Sequence, residues 1–306
     1  MTAQTLFNGI FNASLVIMII TLVMSLGMSF TVAQVLAPMR RTGFLLGAIA
    51  VNSVLAPLIA IGVAHLFPLT SQARTGLEIV TIAAAGPAGL KACQLAKRAD
   101  MAMAVSFTIV LQVLNIIAAP LWAKAVVTGA KVNPWTIVVD LLILVLIPLV
   151  IGLIVRARYA ADAGKWKTGL EKTSNIALYV VIGVGIGVNW KLVVTSVGSW
   201  VILASAIIIV IYILLGWAPG IGHRQSAVTI SMVSAMRFTP IGLIVISTVL
   251  HNQGAYLTPA LIFALVDTII PFVVAAEIGR FLTRGDKPAA PGAGPKPAPA
   301  AAAGQT

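Results

Sequence analysis

Residues 234–240 read Ser-Ala-Met-Arg-Phe-Thr-Pro, in the middle of an apolar stretch, residues 227–249, that is long enough to cross a bilayer. A spanning helix needs about 20 predominantly apolar residues. Pro240 cannot donate a backbone hydrogen bond, and its ring clashes with the preceding turn. Arg237 places a charge at bilayer depth, where charged side chains face the protein interior or a cavity. The stretch therefore predicts an interrupted membrane helix with a cation at the interruption.

The rest of the chain predicts an all-α polytopic membrane protein. Of its 306 residues, 59% are hydrophobic and 9% are charged, and the mean hydropathy is +1.04. A soluble domain carries about 25% charged residues. Nine apolar segments have approximately spanning length. They are residues 11–30, 44–66, 76–96, 101–122, 136–155, 175–189, 200–217, 227–249 and 259–281.

Basic residues predict the orientation of these nine spans. Fourteen of the twenty lysines and arginines fall in one set of alternate loops. Cytoplasmic loops carry such an excess, which places the N-terminus outside and the C-terminus in the cytoplasm, in a bacterial inner membrane. The net charge of +12 is thereby explained by the lipid bilayer, with no nucleic acid partner. Residues 285–306 are rich in Pro, Ala and Gly and predict a disordered cytoplasmic tail.

A second interruption lies in the third span. Gly86, Pro87 and Gly89 interrupt this helix near its middle, and Lys91 follows. Spans 3 and 8 are five apart, so they cross the membrane in opposite directions. Matching broken helices in oppositely oriented halves indicate a secondary transporter built on an inverted repeat, with its site where the breaks meet. The alternative is two ordinary proline kinks in unrelated helices.

Four stretches carry a resemblance to the bile acid:sodium symporter family in its nine-helix form. They are LVMSLGMSFT (22–31), NSVLAPLIA (52–60), GPAGLKACQLAKRADMAMAVSFT (86–108) and VTISMVSAMRFTPIGL (228–243). The resemblance implies two broken helices that cross at the bilayer centre. It also implies a panel domain, residues 8–36 and 134–194, against which a core domain, residues 42–128 and 197–284, moves by alternating access.

The same resemblance implies that most sodium ligands of the family are replaced. In the second broken helix, Val233 stands where the family has a shared glutamate, Arg237 where it has a glutamine, and Phe238 where it has an asparagine. In the first broken helix, Leu90-Lys91 stands in place of a Ser-Asn pair.

Three further positions of the sodium sites can be compared. Ala104 replaces a serine, Asn52 stands in place of a glutamine, and Thr108 matches the family's threonine. Sodium needs a shell of oxygen ligands, which this set supplies poorly. The comparison implies that sodium does not bind at the usual sites.

Our hypothesis is that Arg237 and Lys91 are tethered replacements for the two sodium ions. The protein would then be a uniporter, an exchanger or a proton-coupled carrier, with Lys91 as the proton site because a buried lysine can lose its charge near neutral pH. Lys91 could instead extend to the cytoplasmic surface. Arg237 could instead form a structural ion pair with Asp267 or Asp140, the available intramembrane carboxylates.

The predicted substrate is a small organic anion with an apolar body, held near the crossing by the two cations and by helix N-termini. Its candidate polar contacts are Thr108, Ser234, Thr239 and Asn52, although Ser and Thr in membrane helices commonly bond their own backbone. One cysteine, three scattered histidines and no paired carboxylates predict no enzyme, no metal site and no cofactor. The remaining alternatives are an ordinary sodium-coupled symporter and a transport-inactive protein of the same fold.

Overall fold

The structure, a computed structural model, describes residues 3–31, 33, 42–97, 99–127, 133–197, 200–218 and 223–283. The regular elements within these residues are helices. They are α1 (Ala3–Ser29), α2 (Thr42–Ala50), α3 (Ala56–Leu66), α4 (Ser71–Thr81), α5 (Ala88–Leu95), α6 (Met101–Val126), α7 (Pro134–Leu141), α8 (Ile147–Arg158), α9 (Ala160–Val188), α10 (Trp190–Val197), α11 (Val201–Trp217), α12 (Arg224–Ala235), α13 (Thr239–Val249) and α14 (Gly254–Thr283).

Two of the spans contain a widened turn. Helices α2 and α3 are joined by the π-helical segment Val51–Leu55, and α7 and α8 by Leu142–Leu146. A proline lies in the first turn after each segment, Pro57 in α3 and Pro148 in α8. Because proline has no N–H to donate, the helix before it loses a hydrogen bond and widens locally. These proline positions explain why the widened turns occur where they do.

Both predicted interruptions are present, but the first gap begins before Gly86, and Gly89 lies within the second half-helix. Helix α4 ends at Thr81 and α5 begins at Ala88, and between them the chain has no regular structure. Helix α12 ends at Ala235 and α13 begins at Thr239. Pro240 lies in the first turn of α13, and Pro87 directly precedes α5. The fixed φ of proline suits the start of a helix.

The count of nine spans is not confirmed by helix length and composition. Within the described residues, six helical segments are long and apolar enough to cross a membrane: Thr5–Ser29, Leu46–Leu66, Met101–Val126, Pro134–Arg158, Arg224–Val249 and Gly254–Phe281. The first broken span divides into helices of 11 and 8 residues, and α11 is an apolar helix of 17 residues, so neither is among the six. The number nine and the inverted repeat stay predictions.

The sixth predicted span is longer in the structure than its apolar residues indicate. We expected residues 175–189, but α9 begins at Ala160 and its first half is polar. Pairs such as Lys167 and Glu171, 3.8 Å apart, lie one turn from each other on this half. Side-chain pairs at this spacing support a helix that has no apolar face. The prediction followed hydropathy alone and therefore missed this extension.

The helices pack closely where glycines allow backbones to approach. Helix α1 packs chiefly against α8 and α9, and α4 packs against α3, α13 and α14. A Cβ added at Gly152 of α8 would lie 2.9 Å from the Cα of Gly27 in α1. Small residues permit such approach in membrane proteins. The division into panel and core domains stays a prediction, and the predicted tail, residues 285–306, lies outside the described residues.

Candidate functional site

The two helix breaks lie against each other and are joined by backbone hydrogen bonds. The Gly86 N–H donates to the carbonyl of Met236 at 2.8 Å, and the Phe238 N–H donates to the carbonyl of Ala83 at 3.1 Å. Unpaired backbone groups have no water partner in the bilayer core and must be satisfied within the protein. The breaks therefore satisfy part of each other's backbone, and this pairing fixes how the two broken helices cross.

Helix α6 holds the first break through two amide side chains. Asn115 accepts from the Ala84 N–H at 2.9 Å and donates to the Ala84 carbonyl at 2.8 Å. Gln112 donates to the carbonyl of Ala85 at 2.7 Å. Ala85 has a φ of 51°, in the left-handed region that alanine rarely adopts. The two amides thus hold a strained, non-helical backbone in place.

We expect Asn115→Leu to destabilise the protein by about 2–6 kcal/mol, because it leaves the buried N–H and C=O of Ala84 without partners at about 1–3 kcal/mol each. Thermal unfolding of the purified protein in detergent measures this loss. Asn189→Leu is the matched control, since the Asn189 amide, directly after α9, donates to the Gly185 carbonyl four residues earlier in the chain. Equal effects of the two substitutions would contradict the holding role of Asn115.

The guanidinium of Arg237 is buried at the crossing and binds two backbone carbonyls. Nε and Nη2 donate to the carbonyl of Thr81 at 3.0 and 2.7 Å. Nη1 and Nη2 lie 3.4 and 3.3 Å from the carbonyl of Asn52. The residue is 3% exposed. A full positive charge therefore lies inside the protein against backbone oxygens.

Both carbonyls lack a helical partner because of local breaks in the helices. Thr81 is the last residue of α4, and the final carbonyls of a helix have no intrahelical donor. In the π-helical segment the Ala56 N–H donates to the carbonyl of Val51, five residues earlier. By the same spacing, the carbonyl of Asn52 would accept from the N–H of residue 57. Pro57 has no N–H, and the Asn52 carbonyl is left for the guanidinium.

Two helix C-termini point at this charge. Helix α4 ends at Thr81, which binds the guanidinium, and α12 ends at Ala235, two residues before Arg237. A helix C-terminus carries the equivalent of about half a negative charge. Two such ends amount to about one negative charge, which one fixed cation neutralises.

Asp267 and Tyr212 complete the surroundings of Arg237. The Oδ1 of Asp267 accepts from the backbone N–H of Arg237 at 3.1 Å. Among the described residues, no carboxylate lies within 4.0 Å of the guanidinium nitrogens. The Tyr212 ring lies 5.1 Å from the Arg237 Cζ, within the range of a cation–π interaction. The expected pairing with Asp267 thus involves the backbone of Arg237 rather than its side chain.

Several other predicted residues lie at the same crossing. Asn52 donates from Nδ2 to the Ser234 Oγ at 2.7 Å, and both residues are buried. The Oδ1 of Asn52 is buried without a hydrogen-bond partner. Phe238 is buried within the second break, and Thr239, half-buried, begins α13. Asn52 thus contacts the guanidinium through its carbonyl and the end of α12 through Ser234.

Three predicted residues are not grouped with Arg237. Lys91 lies on an exposed face of α5. Thr108 is buried but bonds the Ala104 carbonyl of its own helix at 2.8 Å. Asp140 is half-buried on α7, and its Oδ2 has no hydrogen-bond partner. The structure places the buried cation at one break and leaves the other cation at the protein surface.

Sequence reasoning missed Thr81, Gln112, Asn115 and Tyr212. Gln112 and Asn115 were detectable in principle, because they are amides three residues apart in an otherwise apolar span. Side chains at this spacing lie on one helix face, and intramembrane polar groups seek partners. Thr81 contributes a backbone carbonyl, which no side-chain pattern could reveal.

A cavity of about 460 Å³ lies away from the breaks. It is found among the first turns of α4, α11 and α14 and the end of α10, where Gln72, Val201, Ala255 and Thr195 line it. The residues that surround it include no member of either break. It is therefore separate from the site at Arg237.

Comparison with known proteins gives one family. The family model described as the Sodium Bile acid symporter family matches residues 16–196. The match includes the first break and α6, whereas Arg237 and the second break lie beyond it. No curated protein matches the chain.

Proposed function

The chain belongs to the Sodium Bile acid symporter family, and we propose from this that it carries a small organic anion across the membrane by alternating access, with Arg237 as a fixed cation in place of a bound sodium ion. The family's members are transporters rather than enzymes, and the apolar helices agree with an integral membrane protein. The replacement of sodium is the part of the proposal that is specific to this chain.

The observation that carries the proposal is the position of the Arg237 guanidinium. It lies between the carbonyls of Thr81 and Asn52 at the ends of interrupted helices. A metal cation at such a crossing would be bound by freed carbonyls and would neutralise the helix ends. Arginine stays charged at all relevant pH values and presents five donors. A tethered guanidinium can therefore take over both tasks without dissociating during the transport cycle.

The anion would bind beside the two half-helices that begin at the crossing. Helix α5 begins at Ala88 and α13 at Thr239, and helix N-termini attract anions. Pro87, Ala88 and Thr239 are half-buried, so this side of the crossing is less enclosed than the guanidinium. We propose that the substrate lies between the predicted panel and core domains and contacts these N-terminal turns.

In this proposal Lys91 is neither a replacement for sodium nor the proton site, the two roles that the sequence indicated for it. Its exposed position on α5 fits the alternative in which the side chain extends to the membrane surface. One buried cation, rather than two, then replaces the sodium ions. A proton site, if transport is coupled to protons, must lie elsewhere in the chain.

We expect organic anions to stabilise the protein equally in sodium and in choline buffers. A ligand that binds only the folded state at a hundred times its Kd adds about 2.7 kcal/mol. The measurement is thermal unfolding in detergent, followed by tryptophan fluorescence, with cholate, benzoate or pyruvate as the added anion. Arg237→Met is expected to abolish the stabilisation by the anion, and Lys91→Met, which removes an exposed cation, is the matched control.

Two outcomes would contradict this proposal. Stabilisation of the wild type by sodium alone would show an ordinary sodium symporter, as the family's description favours. Absence of stabilisation by any organic anion, together with absence of uptake into proteoliposomes, would show a transport-inactive protein of this fold.

A further inference from the structure

A second buried charge lies one turn before the crossing and takes no part in the site described above. Glu78 of α4 is 5% exposed, and its Oε1 lies 3.3 Å from the Nδ1 of His65 in α3. The same Oε1 is buried and receives no hydrogen bond from the residues that the structure describes. An ionised carboxylate inside a protein requires several hydrogen bonds or a close cation to remain charged. Glu78 is therefore poorly compensated as a carboxylate.

His65 connects this carboxylate with the surface. Its side chain is 55% exposed, whereas that of Glu78 is buried. The Nδ1 faces two acceptors, the Ile61 carbonyl at 2.9 Å and the Glu78 Oε1 at 3.3 Å. When Glu78 is ionised both neighbours are acceptors, and these neighbours assign the proton to Nδ1. The other ring nitrogen, Nε2, is then the free acceptor of the neutral imidazole.

This arrangement suits a proton relay. A proton from solvent binds Nε2 and forms an N–H bond there. The Nδ1–H then turns from the Ile61 carbonyl to Oε1 of Glu78, 3.3 Å from Nδ1. The Nδ1–H bond breaks, its electron pair stays on Nδ1, and an O–H bond forms at Oε1. The imidazole is neutral again, with its proton on Nε2. Rotation of the ring or proton exchange with solvent then returns the tautomer with its proton on Nδ1. Histidine performs such transfers because its charge changes near neutral pH.

The other ionisable groups around Glu78 are few. Arg74, one turn earlier on α4, interacts with it electrostatically, as does His65. Among the described residues, Arg74 forms no ion pair with Glu78 within 4.0 Å. Helix α13 carries no ionisable side chain. Two further ionisable side chains on the helices packed against α4, Tyr212 and Asp267, lie at Arg237. The others are Lys124 of α6 and Tyr256, Glu277 and Arg280 of α14, and Asp100 directly precedes α6.

Glu78 is linked to the crossing through the last turn of α4. Its backbone carbonyl accepts from the Thr81 Oγ1 at 2.7 Å, and the Thr81 carbonyl binds the Arg237 guanidinium. Three residues of helix correspond to about 4.5 Å along the axis. Loss of the negative charge on Glu78 therefore changes the electrostatic field on Arg237 and on an anion bound nearby.

We infer that Glu78, reached through His65, is a proton-binding site that couples proton movement to the transport of the organic anion. The inference rests on the proposed function for its transport part. One proton carried with one monovalent anion moves no net charge across the membrane. The predicted orientation places His65 at the outer face, so an inward proton gradient drives uptake.

The proton site itself is tested without any substrate. Infrared difference spectra of the purified protein, recorded between about pH 5 and pH 8, report the C=O stretch of a protonated carboxylic acid. We expect a titrating band in the wild type that is lost in Glu78→Gln and retained in Glu277→Gln, whose parent carboxylate is 49% exposed. Identical spectra for wild type and Glu78→Gln would overturn the inference.

Coupling is tested in proteoliposomes with the anion, among cholate, benzoate and pyruvate, that stabilises the protein. Two rates are compared for each variant: anion uptake driven by a pH gradient, and exchange of internal for external anion. We expect Glu78→Gln and His65→Gln to lower the ratio of the first rate to the second. Glu277→Gln should leave this ratio unchanged. Because His65 is exposed, we expect His65→Gln to fold. This variant therefore tests the coupling even if Glu78→Gln does not fold. An unchanged ratio in every variant overturns the coupling.

Failure of the proposed function is distinguishable from failure of this inference. If no anion is transported but the infrared band titrates and is lost in Glu78→Gln, the proton site is supported and the proposed transport function is contradicted. If an anion is transported but no titrating infrared band is seen and the pH gradient has no effect, the transport function is supported and the proton site is contradicted.

Discussion

Arg237→Met is expected to lower the stability of the protein by about 2–6 kcal/mol, since it leaves the carbonyls of Thr81 and Asn52 unpaired in a buried site at about 1–3 kcal/mol each. Methionine is close in length and apolar, so the change removes charge and donors more than volume. The two helix C-termini directed at the crossing also lose their counter-charge. The apparent unfolding temperature of the purified protein in detergent measures the effect.

Two comparisons separate charge from shape at this position. Arg237→Lys keeps the positive charge but replaces a planar fork with a point charge, so we expect a smaller loss than for methionine. Lys91→Met removes an exposed cation and should change stability by less than about 0.5 kcal/mol. If Arg237→Met were as mild as Lys91→Met, the guanidinium would have no role in holding the crossing together.

Gly86→Ala is expected to separate the two breaks and to abolish anion binding. A Cβ at this position would lie 2.7 Å from the carbonyl oxygen of Arg237 and 3.2 Å from its carbonyl carbon. These are backbone atoms, which cannot rotate away as a side chain would. Relief requires the breaks to move apart, which weakens the hydrogen bond between the Gly86 N–H and Met236. Overpacking of this kind costs about 1–3 kcal/mol.

The matched control is the same substitution where there is space. A Cβ at Gly62 of α3 has no atom within 4 Å, and alanine is favoured over glycine within a helix by about 0.5–1 kcal/mol. Gly62→Ala should therefore leave the unfolding temperature unchanged or raise it, and should leave stabilisation by the anion intact. Equal losses from the two substitutions would show that close contact of the breaks is unimportant.

The breaks were predictable because their cause is local. Proline removes a donor wherever it stands in a helix, so Pro87 and Pro240 predict interruption from the sequence alone. The apolar segments were predictable for a similar reason, since spanning length is a property of consecutive residues. Boundaries were less certain where charged residues continue a helix beyond its apolar part, as in α9, which begins at Ala160.

The partners of the site residues were not predictable in this way. Lys91 and Arg237 look alike in sequence, each a cation near a break, yet Lys91 is exposed and Arg237 is 3% exposed. The rotation of each half-helix about its axis decides which side chains turn inward. That rotation depends on packing against other helices, which are α6, α12 and α14 for α5 and α5, α6, α11 and α14 for α12, rather than on the residues next to the cation.

By itself, the sequence determined the helical class of this protein, its membrane character, its family and the positions of its two breaks, because these follow from composition, proline chemistry and the order of motifs. The tertiary structure decided that Arg237 is bound by the carbonyls of Thr81 and Asn52 and that Glu78 faces His65. These contacts join helices that are distant in the chain. They depend on the relative placement of backbones, which no local pattern of residues specifies.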